Sequence, residues 1–303
     1  MTSGVVLLTC SMARDLEIFS VLATSVDRCA GPDVRHVVIV PRADLAAFRR
    51  HATPAREIVA QEDILPMWLF KLPSALRHLA FLTEALRRPI YVSAKGQVTR
   101  GRMIQQILKI EYTRRAPSEA VVHVDSDVFF VRPFAAADAR RDGKIMFFRV
   151  DQAQSEPGHR RWGEVAASCL GTALPEGWSS HYVENCVPWS REVAQAMVQR
   201  IEAVHGRPYH EVLLGFPTIS EYFIYGLFAD LIGADPSGQA PGLAPGDMSL
   251  CNSFWPASPD QPFDLVRQME RMLPWHRALA IQSTHAFPVA ERARVFETAL
   301  AAR

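Results

Sequence analysis

Two short β-branched runs separated by one amphipathic stretch constrain this chain more than any other feature. Gly4 to Thr9 reads GVVLLT and Val34 to Pro41 reads VRHVVIVP, neither with helical gaps, while Leu16 to Val26 between them spaces its apolar residues as a helix does. Strand, helix, strand in that order opens a largely parallel sheet, because parallel neighbours need a crossover, and such sheets collect ligands at the carboxyl ends of their strands. The expected fold class is therefore α/β: a mostly parallel, Rossmann-like sheet flanked by helices. Further helices are expected over ALRHLAFLTEAL (75–86) and MIQQILKIEY (103–112), with strands at AVVHV (120–124) and KIMFFRV (144–150).

After Val150 the composition shifts. Asp151 to Ser180 is rich in Gly, Pro, Ser and charge and reads as a loop-dominated excursion, and Ala234 to Pro262 as a long irregular loop or lid. Between them, HYVENCVPW is strand-like, SREVAQAMVQRIEAV is a helix capped by Ser190, and TISEYFIYGLFADLI is a strongly apolar helix. A short helix, the strand ALAIQS and a last helix close the chain. The expectation is one domain over 1–303, with a ligand-binding half at 1–150 and a second half, carrying loop-rich insertions, at 151–303; 49% hydrophobic residues suffice for its core.

Formal net charge is +1 with no long run of one sign, which argues against a nucleic-acid groove or a polybasic membrane patch. No basic leader opens the sequence and no run approaches the roughly 20 apolar residues of a bilayer span, so a cytoplasmic protein with no integral membrane segment is expected. Five cysteines without CxxC spacing point to reduced, buried thiols rather than a disulfide framework or zinc site.

The stretch AVVHVDSDVFFVRPF places Asp125 and Asp127 in an otherwise apolar run, where an isolated buried carboxylate costs several kcal/mol. It is the only DxD in the chain, and the flanking apolar runs put it at a strand's end. Hard oxygen ligands of this kind suit Mn²⁺ or Mg²⁺, which bridge to substrate phosphates. The structural alternative is a surface turn with Ser126 between two solvated aspartates.

The order of LLTCS, QQILK, an apolar strand entering DSD, FFVRPF, and later SEYFIYG and IQSTH resembles GT-A type glycosyltransferases, in particular bacterial glycosyltransferase-like proteins with a QQxLK helix ahead of the DxD. The resemblance runs from about Val5 to His285 and implies a metal-dependent enzyme moving a sugar from a nucleotide diphosphate donor, UDP on family grounds, to a small-molecule or glycan acceptor. By that analogy Asp127 ligates the metal, Asp125 shares it or reaches the ribose, Ser126 sits with them at the donor, and His285 completes the coordination. Thr9 and Ser11 match the position that meets base and ribose, with turn and cap duty as the alternative. Gln105 and Lys109, four apart on one helix face, would meet sugar hydroxyls and phosphate, with Arg102 a further phosphate contact.

Glu221 carries two readings. TISE fits a capping box in which Thr218 caps and Glu221 reaches back to its amide; the resemblance offers a catalytic base toward the acceptor. His181, Glu184 and Asn185 are candidates to face the sugar. Two other functions stay open: a haloacid dehalogenase-type phosphohydrolase with Asp125 as nucleophile, which expects the motif on its first strand and a late acidic pair where Asp247 stands alone, and a non-catalytic nucleotide-sugar binding module.

Overall fold

The computed structural model describes residues 2–66, 69–71, 90–93, 96–151, 157–233, 242–256, 258, 261–283 and 287–301. Its strands are β1 (Thr2–Cys10), β2 (Val34–Val40), β3 (Arg56–Ala60), β4 (Leu69–Lys71), β5 (Ile90–Ser93), β6 (Val98–Arg100) and β7 (Ser118–His123). There follow β8 (Val128–Phe130), β9 (Arg140–Arg141), β10 (Lys144–Phe148), β11 (Val187–Ser190), β12 (Leu243–Gly246), β13 (Cys251–Phe254) and β14 (Ala278–Ile281). The helices are α1 (Leu16–Cys29), α2 (Leu45–Phe48), α3 (Gln61–Ile64), α4 (Gly101–Arg115), α5 (Pro157–Leu170), α6 (Arg191–His205), α7 (Tyr209–Leu213), α8 (Glu221–Leu227), α9 (Leu265–Glu270) and α10 (Val289–Ala301).

Among the described residues the central sheet runs β11-β7-β1-β2-β3, parallel throughout except for β11, which pairs antiparallel with β7. This is the mostly parallel α/β arrangement expected. Its middle strand explains the unbroken apolar run GVVLL: β1 is covered on both faces, so alternation has no place there, and Leu7 and Leu8 are fully buried. The first crossover, α1, turns Phe19, Leu22, Ala23 and Val26 onto the sheet at helical spacing. Gly4 is required where β1 passes the Asp33 carbonyl, since a Cβ there would stand 2.6 Å from its oxygen.

Smaller sheets of β13-β14-β8 and β12-β10-β9 lie beside the central one, and a smaller apolar cluster of Phe129, Phe254, Leu279, Ile281 and Phe296 packs under α10. Ser190 caps α6 as expected, its hydroxyl accepting from the Val193 amide.

Three expectations need correction. The excursion at 151–180 contains a 14-residue helix, α5, whose Ala166, Cys169 and Leu170 are buried; Gly158, Gly163 and two arginines dilute its apolar stripe. The segment 234–262 holds β12 and β13, each four residues long and too short to stand out among Pro and Gly. The capping box is absent: α8 begins after Ser220, with no side-chain cap. The helix expected over 75–86 lies outside the described residues.

Candidate functional site: a carboxylate cluster at a strand end

The DSD loop leaves the carboxyl end of β7, next to β1, where Val124 N still bonds Leu8 O at 2.9 Å. Three contacts pin it. The Ser126 hydroxyl donates to Ser11 Oγ at 2.9 Å, the Ser283 amide donates to Asp127 Oδ2 at 2.7 Å, and Ile281 N donates to the Asp127 carbonyl at 3.2 Å. Burial, followed by the nearby charge of Asp125, pushes the Asp127 carboxyl up from 3.8 to about 6; the Ser283 amide and Arg292 pull it partly back.

Lys109 is the centre of the site. It projects from α4 but is only 3% exposed, and its ammonium lies 3.2 Å from Asp125 Oδ1, 3.3 Å from Glu221 Oε1 and 3.1 Å from the Tyr222 hydroxyl. Burial alone would lower its pKa, yet Asp125, Tyr222 and Glu221 together hold it well above the usual lysine value. Asp125 is 40% exposed while its Oδ1 is buried against the ammonium, so the exposure belongs to the rest of that side chain. Glu221, the first residue of α8, is 4% exposed. Beneath the cluster, burial and then Lys109 hold His123 neutral, its imidazole well below the ordinary pKa.

A cleft of about 850 Å³ opens at the carboxyl ends of the parallel strands, walled by Ser11 after β1, Ile39 of β2, Gln61 after β3, and Arg102 and Gln105 of α4. The Arg102 guanidinium also lies 5.9 Å from the ring centre of Trp162. Gln105 reaches the Cys10 carbonyl at 3.5 Å. Ser11 belongs to this wall and is hydrogen-bonded to the DSD loop through Ser126.

The structure thus brings Asp125, Asp127, Lys109 and Glu221 into one neighbourhood and puts Ser11, Arg102 and Gln105 on the cleft. Two assignments change. Thr9 is completely buried and its hydroxyl is hydrogen-bonded to His36 Nε2 at 3.0 Å, within a network in which Arg56 holds His36 Nδ1 and Asp27; it braces the sheet and does not line the cleft. Lys109, like Asp125, Asp127 and Glu221, does not line the cleft, and its ammonium is engaged by Asp125, Glu221 and Tyr222. His285 lies outside the described residues. Among the described residues no group of three or more His, Cys, Asp and Glu is arranged to hold a metal ion.

Sequence reasoning missed Tyr222, which reads as one more aromatic in an apolar helix, and Ser283, whose part is played by a backbone amide that any residue supplies. The phosphohydrolase alternative finds no support in the topology, since β1, β2 and β3 precede the motif in the central sheet. Among the described residues no helix is long and apolar enough to cross a membrane.

A family model described as a family of unknown function, DUF6492, matches residues 2–235. No curated protein matches the sequence. Two solved structures resemble the fold: an active-site mutant of LgtC, at 14% identity and TM-score 0.48, and the galactosyltransferase LgtC in complex with donor and acceptor sugar analogs, at 13% and 0.49. Each comparison covers 97% of this chain and 95% of the other. Likeness at that level carries no functional weight.

Proposed function

As a member of the DUF6492 family of unknown function, the chain has only its own site to speak for its activity, and we propose that it is a single-domain, metal-dependent GT-A glycosyltransferase acting on a nucleotide diphosphate sugar, with UDP as the carrier. The observation that carries this reading is the placement of the DSD loop: two carboxylates at the carboxyl end of a central parallel strand, tied through Ser126 and Ser11 to the wall of an 850 Å³ cleft. Such a cleft suits a nucleotide-sized ligand, and strand ends are where open α/β sheets bind one.

The carboxylates of the DSD loop are of the chemical kind that suits Mn²⁺ or Mg²⁺. Asp125 and Asp127, one residue apart on the loop, offer two hard carboxylate ligands, Asp125 through its exposed side and Asp127 with a proton affinity raised by burial and by the charge of Asp125. Asp127 would ligate the ion, Asp125 would share it with its exposed side, and His285 is the further ligand proposed from sequence. When bound, the ion supplies Lewis-acid stabilisation of the departing nucleotide diphosphate. Ser11 and Gln105 would meet ribose and sugar hydroxyls, and Arg102 the phosphates, in place of Lys109. Glu221 is the carboxylate proposed to take the acceptor proton.

Thermal denaturation with UDP tests the reading. UDP with Mn²⁺ should raise the melting temperature clearly, and UDP with EDTA should not. Equal stabilisation in EDTA, or none in Mn²⁺, would sink it. Glu221→Gln should lower turnover by roughly 100-fold or more while leaving the UDP shift in place; full turnover in that variant removes Glu221 from the chemistry.

A further inference from the structure

A second polar cluster stands beside the DSD loop on a different wall from the cleft. Glu184, just before β11, is half-buried, and its Oε1 accepts from the Ser253 hydroxyl of β13 and from the Asn185 amide at 2.7 Å. The Trp255 indole stands close enough to this carboxylate to favour its charged form, and Asn185 Nδ2 donates to Ser253 Oγ at 3.0 Å. Cys186 follows in the left-handed region, at φ 57°, a conformation a non-glycine residue holds only where surrounding contacts enforce it. Register fixes the cluster's position: Ser253 pairs with Ala280 of β14, which pairs with Val128, the residue after Asp127. Two strand spacings of about 4.8 Å put Ser253 roughly 10 Å from the start of β8.

Trp255 is 50% exposed, although indoles are on average among the more buried side chains. An open indole face beside a fixed, half-buried carboxylate is the chemistry that recognises a sugar: the ring covers the apolar C–H face and the carboxylate accepts from hydroxyls. None of Glu184, Ser253 and Trp255 lines the large cleft. We propose that Glu184 and Trp255, braced by Ser253 and Asn185, form the subsite for a saccharide acceptor, across the DSD loop from the donor cleft. This rests on the transferase reading for the word acceptor, but not for the binding of a saccharide.

Saturation-transfer NMR on the full chain, with lactose, maltose and cellobiose as probes, tests it, alongside the UDP and Mn²⁺ melting shift. Wild type should bind at least one disaccharide, and Trp255→Ala and Glu184→Gln should each weaken that binding about tenfold or more, the loss of one good contact. The UDP and Mn²⁺ shift should be the same in all three proteins. Trp255→Ala removes an exposed ring, so it carries the test even if Glu184→Gln melts early. Absence of disaccharide binding to wild type, or undiminished binding in Trp255→Ala, overturns the subsite. A missing UDP shift in wild type beside intact, Trp255-dependent saccharide binding overturns the transferase reading alone.

Discussion

Asp127 is held in a state that disfavours its charge, and that has consequences for stability and for metal binding. Because its folded pKa of about 6 lies above the unfolded value near 3.8, the folded protein binds this proton more tightly, so the group's contribution to stability is complete below about pH 4 and is lost as pH rises through 6. Asp127→Asn should therefore flatten the stability profile between pH 4 and 7 and raise stability at pH 7, measured by urea unfolding across that range. Mn²⁺ must displace the proton, so calorimetry should show wild-type affinity falling close to tenfold per unit below about pH 6, and no binding at this site in Asp127→Asn. Lys109 makes the opposite case, a charge that the site needs. Lys109→Met leaves Asp125 and the buried Glu221 without their shared cation, and should cost about 3–5 kcal/mol in equilibrium unfolding. An unchanged denaturation midpoint would show that the three-way contact contributes little.

At the scale of elements, α8 does most to build the site. Its start sets Glu221 and Tyr222 against Lys109, and its end passes into a π-helical turn, Phe228–Ile232, a form that recurs at functional sites. That turn carries Asp230 to the Tyr182 hydroxyl at 2.6 Å and to Arg149 at 2.9 Å. Close approach between α8 and Tyr182 depends on Gly226, where a Cβ would stand 2.3 Å from the tyrosine ring. Gly226→Ala should cost about 1–3 kcal/mol through overpacking, despite the better helix propensity of alanine. Urea unfolding checks the sign; a stabilised variant would mean that the helix and ring part easily, and that the position of Glu221 is not fixed from this end.

For the whole molecule, the C-terminal helix secures the DSD loop from behind. Phe296 of α10 is buried against Phe129, edge to face with ring centres 6.3 Å apart, and Arg292 of the same helix bonds the Ile281 and Gln282 carbonyls immediately ahead of Ser283. Phe296→Ala should lose about 3–5 kcal/mol, read by denaturant unfolding, and should weaken Mn²⁺ binding by loosening the Ser283 amide. The amino-acid sequence by itself determined the parallel start of the sheet, the α4 helix and the position of DSD at a strand end, because those follow from periodicities of a few residues that a window of the chain contains. It could not decide that Lys109 meets a tyrosine 113 positions later, that Thr9 is sealed by His36, or that Trp255 stands beside Glu184. A lysine at helical spacing looks the same whether water or two carboxylates wait at its end, and only the packing of α4 against α8 chooses between them. The short strands β12 and β13 were equally illegible, since each exists through pairing with a neighbour already in place, β10 and β14, and not through any pattern of its own.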